Sequence, residues 1–127
     1  MKLDISLLDT LTAQSKANPR LRQAYDLRTT PEDNSQRILN AMEPGTIIPI
    51  HRHRSTTETV VVLRGKLRQN FYDDAGHLTE SFIAALNSDI MGFSVELGRW
   101  HNPNPLPPAP LSWSARTGSM SRWGKRI

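Results

Sequence analysis

Cysteine is absent from this 127-residue chain, which excludes disulfides, thiolate metal sites and cysteine nucleophiles. Any bound metal must therefore be held by nitrogen and oxygen ligands. No apolar run approaches the length of a membrane-spanning helix, and the acids in MKLDISLLDT interrupt the apolar segment that a signal peptide needs. The length suits one domain and is too short for two. These features predict a cytoplasmic protein without a membrane partner.

Acidic residues are missing from residues 102–127, which carry four of the 16 basic residues of the chain. Residues 1–101 therefore hold 12 basic and 12 acidic groups, and their formal charge is zero. A nucleic-acid-binding protein needs its basic groups gathered on a folded face. Here the excess charge lies in a proline-rich tail, so we predict no nucleic-acid partner despite a pI of about 10.

The remaining sequence shows one helical pattern followed by several strand patterns. Residues 4–17, DISLLDTLTAQSKA, place leucines at helical spacing behind Asp4, a typical N-cap residue. The turn sequences RGK and DDAG indicate hairpins. Short strands at roughly ten-residue spacing predict a small antiparallel β sandwich or barrel. The predicted strands are QRILNAM, GTIIPIH, ETVVVLRG, KLRQNFYDD, LTESFIAAL and MGFSVEL.

Only four histidines are present, and two of them lie one residue apart in HRHRSTTE. On a strand, His51 and His53 share a face, while Glu58 follows a short turn and could return beside them across a strand pair. His101 follows a later strand and could close the site. Such a donor set predicts one divalent transition metal, namely Mn, Fe, Ni, Co, Cu or Zn. His77 follows the DDAG turn and is predicted to lie outside this site.

The alternative is a basic surface patch, in which Glu58 is only the salt-bridge partner of the histidines. The spacing favours the metal site, because Gly45, five residues, HRH, four residues, Glu58, six residues and Gly65 resemble the first cupin motif at every specified position. Gly98 and His101 match the second cupin motif, but proline and asparagine are absent from their expected positions in it.

Several further stretches resemble the WbuC-type cupin-fold metalloproteins over about residues 3–101: SQRILNAMEPGT, PIHRHRSTTETVVVLRGKL, FYDDAGHLTE and GRWH. This resemblance implies a mainly β fold, a cupin jelly-roll β-barrel with an N-terminal α-helix. It also implies a metal-binding protein with a sugar-related role in surface-polysaccharide metabolism, and a homodimer. The corresponding division is an N-terminal helix and arm (1–20), a cupin barrel (21–101) and a tail (102–127).

The tail holds five of the nine prolines and two of the three tryptophans, without strand or helix periodicity. We therefore predict that the last strand of the barrel is missing or altered, and that the tail is a Pro-rich basic, disordered segment. One hypothesis is a frameshift between about residues 102 and 108, because another reading frame permits an apolar strand. The alternative is a genuine divergent tail. Nucleotide sequence without a single-base insertion or deletion would contradict the frameshift.

Candidate substrate-binding residues are Arg20, Arg22 and Arg37, which offer forked donors for a carboxylate or phosphate, and Tyr72. The predicted partner is a small-molecule substrate that is anionic or sugar-like. The favoured function is a metal-dependent isomerase or epimerase acting on a sugar or sugar acid. The alternatives are a non-catalytic cupin that binds a carbohydrate or acidic metabolite, and an Fe-dependent dioxygenase, since fold alone does not decide among them.

Overall fold

The computed structural model of the protein describes residues 1–117. One helix is followed by six strands in this part of the chain, which confirms a mainly β fold with an N-terminal helix. None of the helices described is long and apolar enough to cross a membrane. The elements are α1 (Ile5–Ala17), β1 (Arg22–Asp26), β2 (Ser35–Met42), β3 (Glu58–Tyr72), β4 (Leu78–Ala85), β5 (Gly92–Val95) and β6 (Trp100–Thr117).

Helix α1 begins where the sequence predicts it. The Asp4 carboxylate accepts a hydrogen bond from the Leu7 backbone N–H at 3.0 Å, which satisfies one of the donors left open at a helix start. Leu8 and Leu11 are buried and belong to a cluster of apolar side chains. The helix thus covers one face of the sheet and leaves the other for a cavity. The remaining buried members of this cluster are Leu39, Ala41 and Leu111.

All strand pairs are antiparallel and belong to one sheet with the order β1-β2-β6-β3-β4, while β5 pairs with β3. A second cluster of buried apolar side chains lies apart from the one under the helix. Its members are Met42, Ile48, Val62, Leu67 and Ala84.

Strand β3 is continuous across the predicted RGK turn, so that prediction is wrong. Gly65 adopts a φ of +71°, and the pairing of β3 with β6 shifts register between Arg64 and Lys66. A Cβ at Gly65 would come within 2.3 Å of the Ala109 backbone oxygen. Glycine therefore permits a close approach and an irregularity inside a strand, which a turn signal resembles in sequence.

The predicted DDAG turn does connect two strands, β3 and β4. The Asp73 carboxylate accepts hydrogen bonds from the N–H groups of Ala75 at 3.0 Å and His77 at 2.8 Å, and Gly76 takes a φ of +85°. By contrast, the predicted strand GTIIPIH is wrong as a regular element. Its one pairing is an isolated bridge between His51 and His101.

The predicted missing strand and disordered tail are wrong for residues 102–117, which lie in β6. β6 pairs with β3 over residues 100–106 and 111–116, with register shifts between these segments, whereas β2 pairs only with residues 111–117. The prolines between Pro103 and Pro110 therefore lie where β6 has no partner in β2, so missing N–H groups on that side cost no ladder bond. Residues 118–127 lie outside the described part of the chain. The frameshift hypothesis concerns the gene and stays a prediction.

Candidate metal centre

Three of the predicted ligands meet in space. The ligand atoms of His51, His53 and His101 all lie within 4.8 Å of one another. A two-way backbone bridge holds two of them, because the His51 N–H donates to the His101 oxygen at 3.0 Å and the His101 N–H donates to the His51 oxygen at 2.9 Å. The ring of His53 lies 5.3 Å from each of the other two, centroid to centroid. The three rings therefore surround one small volume.

Glu58, the first residue of β3, contributes a carboxylate beside two of these rings. Its Oε1 lies 3.7 Å from His53 Nε2 and 3.8 Å from His101 Nε2. Its side chain is only 4% exposed, and burying a charge is costly unless opposite charge or a ligand compensates it. The carboxylate is thus available as a fourth ligand next to the histidine group.

The hydrogen-bonding state of the rings fits a metal. The Nε2 atoms of all three histidines are buried and have no hydrogen-bond partner. Two of the Nδ1 atoms face backbone carbonyls, His51 toward Pro49 at 2.8 Å and His101 toward Arg99 at 2.9 Å. An Nδ1–H donated to a carbonyl leaves the Nε2 lone pair free, which is the usual arrangement of a metal-binding histidine. Buried polar atoms rarely remain unsatisfied without a ligand.

The protonation states also suit metal binding. Burial lowers the pKa of His51 to about 4, and the nearby rings of His101 and His53 act in the same direction, although the Pro49 carbonyl opposes them. Burial alone would raise the pKa of Glu58, but polar interactions with His101 and His53 outweigh it and lower that pKa to about 2. A neutral imidazole and an ionised carboxylate are the forms that bind a metal.

A cavity of about 280 Å³ opens next to the cluster, and His51, Glu58 and His101 line it. Its lining combines polar groups with apolar side chains, as small-molecule sites commonly do. The polar residues of the lining are Asn18, Gln23, Asn40, Ser112 and Ser114, and the larger apolar ones are Met42, Ile48, Val60, Leu67 and Phe93.

Two predicted substrate-binding residues, Arg20 and Arg22, also line this cavity. Arg22 Nη1 donates to the Ile47 oxygen at 2.9 Å and to Thr46 Oγ1 at 3.3 Å, which fixes the guanidinium. Its pKa is lowered by burial and by the charge of Arg20. Arg20 is exposed. Two neighbouring cations make this side of the cavity attractive to an anion.

The other two predicted substrate-binding residues, Arg37 and Tyr72, are not among the residues that line this cavity. Arg37 Nη2 pairs with Asp33 Oδ2 at 2.6 Å, and the Tyr72 hydroxyl donates to Asn102 Oδ1 at 2.8 Å. Side chains alternate between the faces of a strand. Arg37 is an odd number of residues from Asn40, which lines the cavity, and therefore points to the opposite face.

One contact of the site was not predicted from the sequence. Arg116 Nη1 lies 2.7 Å from His53 Nδ1, and Arg116 Nε donates to Gln36 Oε1 at 2.7 Å. Strand register explains the contact, because Arg116 is directly opposite Glu58 on β3 and opposite Gln36 on β2. Only the pairing of three distant segments brings these residues together, so no local motif indicates it.

Comparison with known proteins supports the fold. The profile of the family described as "Domain of unknown function (DUF6016)" matches residues 3–84. None of the curated proteins matches the sequence significantly. Among solved structures, BH2720 from Bacillus halodurans has a TM-score of 0.65 at 18% identity, covering 98% of this chain and 87% of its own. The cupin domain of Cnp3 from Schizosaccharomyces pombe has a TM-score of 0.59 at 14% identity, with coverages of 76% and 65%.

Oxalate oxidase in complex with the substrate analogue glycolate is also similar, with a TM-score of 0.62 at 17% identity over 79% of this chain. The present chain spans about half the length of that protein, covering 52% of it. These likenesses confirm the predicted cupin fold. They do not carry an activity with them, because one fold serves many functions.

Proposed function

The chain is a member of the DUF6016 family with a cupin fold, and from this premise we propose that it holds one divalent transition metal and uses it to bind a small, oxygen-rich anion. The ligands are His51, His53, His101 and Glu58. The cavity beside them receives the anion. The proposed class of ligand is a sugar acid or a similar hydroxy acid.

The observation that carries the metal proposal is the set of three buried Nε2 atoms without hydrogen-bond partners, which belong to three rings converging on one volume. A surface patch with Glu58 as its salt-bridge partner would leave such atoms facing water. A closed structural zinc site is a poorer fit, because those sites are four-coordinate and often use thiolates. Here a cavity adjoins the ligands.

Imidazole and carboxylate donors suit Mn, Fe, Co, Ni, Cu or Zn better than Mg or Ca. When bound, such an ion supplies Lewis acidity toward an oxygen of the anion. The chain supplies the rest of the site. Arg22 is held by the Ile47 carbonyl and directs its charge at the anion, while Arg20 adds a second, exposed cation. The apolar part of the lining, which includes Phe93, limits water around the ligand.

Cavity size and charge support a small anion, since about 280 Å³ accommodates a compact ligand rather than a polymer. The similar oxalate oxidase structure contains glycolate, a ligand of this chemical class. A role in surface-polysaccharide metabolism, and hence a sugar or sugar acid, follows from the WbuC-type resemblance. A homodimer is proposed on the same ground, and size-exclusion chromatography with light scattering tests it.

Glu58 is the one carboxylate among the described residues that line the cavity. If it serves as a metal ligand, the lining offers no separate carboxylate for moving a proton between carbon atoms, as an isomerase or epimerase requires. This observation favours the second candidate functions, binding without turnover or an Fe-dependent reaction with oxygen. Oxygen uptake in the presence of a candidate hydroxy acid separates these two.

Elemental analysis of protein purified without a histidine tag tests the metal site. We expect about one equivalent of a transition metal per chain, and loss of most of it in His51→Ala and His101→Ala. His77→Ala is the matched control, because the His77 side chain is 79% exposed and pairs with Asp73 away from the cluster. Equal metal content in all four proteins would refute the proposed ligand set.

A ligand screen tests the cavity. Hydroxy acids and sugar acids are titrated into the metal-loaded and the metal-free protein, and the same titrations are repeated with Arg22→Gln. We expect affinity to fall when either the metal or the Arg22 charge is removed. A ligand that binds equally well to all three forms would show that the anion lies elsewhere.

A further inference from the structure

Resting on the proposed metal site, we propose that Arg116 is a positioning residue for His53. It keeps the proton of His53 on Nε2, where a metal would need a free lone pair. In the metal-free protein, the donors available to a metal are then the Nε2 lone pairs of His51 and His101 and the carboxylate of Glu58. His53 becomes a ligand only when its contact with Arg116 opens.

The contact between Arg116 and His53 fixes which of the two side chains donates. A guanidinium has only N–H donors and no acceptor, and Arg116 Nη1 lies 2.7 Å from His53 Nδ1. His53 Nδ1 must therefore accept, which requires a lone pair at that nitrogen. In a neutral imidazole one ring nitrogen carries the proton and the other accepts, so the proton of His53 is on Nε2.

This arrangement differs from that of the other two rings. His51 and His101 direct Nδ1 at backbone carbonyls, which accept and never donate. Those rings carry their proton on Nδ1 and present the Nε2 lone pair. His53 presents an Nε2–H instead, directed toward Glu58 Oε1 at 3.7 Å. Binding a metal through His53 Nε2 needs the opposite tautomer, in which an Nδ1–H would face the N–H donors of Arg116.

The position of Arg116 makes this contact firm. Arg116 lies on β6 between Glu58 of β3 and Gln36 of β2, directly opposite each in register. Its Nε donates to Gln36 Oε1 at 2.7 Å, and Gln36 is only 2% exposed. The guanidinium is thus held on a second side while its Nη1 reaches His53.

The cavity supplies an independent observation. Its lining includes His51, His101 and Glu58, but not His53. The residues with lone pairs free for a metal are therefore those that also face the cavity proposed to receive the anion. Two histidines and one carboxylate with open positions form the donor set typical of non-haem Fe(II) sites. While Arg116 holds His53, the available donors therefore favour an ion that binds two imidazole nitrogens and not three.

The tautomers are measured directly by ¹H–¹⁵N correlation spectra of the imidazole rings in metal-free protein at neutral pH. The chain has only four histidines, and His53→Gln identifies the His53 signals by their loss. We expect the Nε2–H form for His53 and the Nδ1–H form for His51 and His101. An Nδ1–H form of His53 in the wild-type protein overturns the proposal without any variant that must fold.

Arg116→Met removes the donors and keeps a similar length. We expect His53 to shift to the Nδ1–H form and the affinity for Zn²⁺, measured by competition with a chromophoric chelator, to rise roughly 10- to 100-fold, the range of effects of residues that orient metal ligands. Arg22→Met is the control for loss of a positive charge near the cavity, and it should leave the His53 tautomer unchanged.

The outcomes separate this proposal from the metal site itself. A His53 tautomer that stays Nε2–H in Arg116→Met, or a Zn²⁺ affinity that does not rise beyond that of Arg22→Met, refutes the role of Arg116. Absence of Zn²⁺ binding in every protein refutes the proposed metal function, and the spectra of the metal-free wild-type protein and of Arg116→Met still decide whether Arg116 sets the tautomer of His53.

Discussion

Acid should destabilise the metal-free protein through His51. The pKa of this ring is lowered from 6.5 to about 4, chiefly by burial, so the unfolded chain binds a proton in a range where the folded chain does not. The stability that depends on the neutral ring is complete above pH 6.5. It is lost as the pH falls from 6.5 through about 4.

The size of the effect follows from the shift. A pKa difference of about 2.5, at about 1.4 kcal/mol per unit, corresponds to about 3.5 kcal/mol once both states are protonated. Between pH 7.5 and 5.0 about 2 kcal/mol of this is lost. Glu58 adds little to the change in this range, because the stability from its lowered pKa is complete above pH 4.5 and is lost only as the pH falls from 4.5 through about 2.

Urea unfolding followed by circular dichroism, with a chelator present, measures the free energy of unfolding at several pH values. His51→Gln keeps a polar side chain but does not titrate, so subtracting its pH profile from that of the wild-type protein isolates this ring. We expect the wild-type protein to lose about 2 kcal/mol more than the variant between pH 7.5 and 5.0. Parallel profiles would refute the reasoning that burial keeps His51 neutral.

Three further predictions concern the packing and the metal. Leu111→Ala should lower the free energy of unfolding by about 2–5 kcal/mol, because Leu111 is fully buried. Leu97→Ala, at a side chain that is 58% exposed, should change it by less than about 0.5 kcal/mol, and equal effects of the two in urea unfolding would contradict the placement of β6. Gly65→Ala should lower the free energy of unfolding by about 2 kcal/mol more than Gly76→Ala. Both glycines have a positive φ, but only at Gly65 would the new Cβ meet backbone atoms. Similar thermal unfolding of the two variants would contradict that close approach. Zn²⁺ at a hundred times its dissociation constant should stabilise the protein by about 2.7 kcal/mol, reversibly with a chelator and not in His101→Ala; stabilisation that persists in this variant would place the ion elsewhere.

The parts of the site that the sequence predicted well are those carried by short segments. His51, His53 and Glu58 lie within eight residues, so their spacing alone brings them near one another. The predicted regular strand around His51 is nevertheless wrong, because His51 forms only an isolated bridge with His101. The histidines converge through that bridge rather than through alternation along a regular strand.

The parts that were missed depend on long-range pairing. The sequence does not indicate β6, because its prolines suppress the alternating pattern of a strand, although β3 pairs with its residues 100–106 and 111–116. From the sequence alone, Arg116 is only one of the basic residues of the tail. Its neighbours Gln36 and Glu58 are assigned by register across two strand pairs, which no pattern along the sequence encodes.

The length of β6 bears on how the chain reaches a unique alignment. Since side chains alternate with a period of two, sliding β6 along β3 by two residues would return every side chain to its own face. Such a slide would carry His101 about 7 Å along the strand, away from the ring of His51, which now lies 4.3 Å from it. An ion bound by both rings would tolerate only one of these alignments. Metal present during folding would therefore stabilise the native alignment of β6 on β3 over the shifted one, whether or not a ligand is bound.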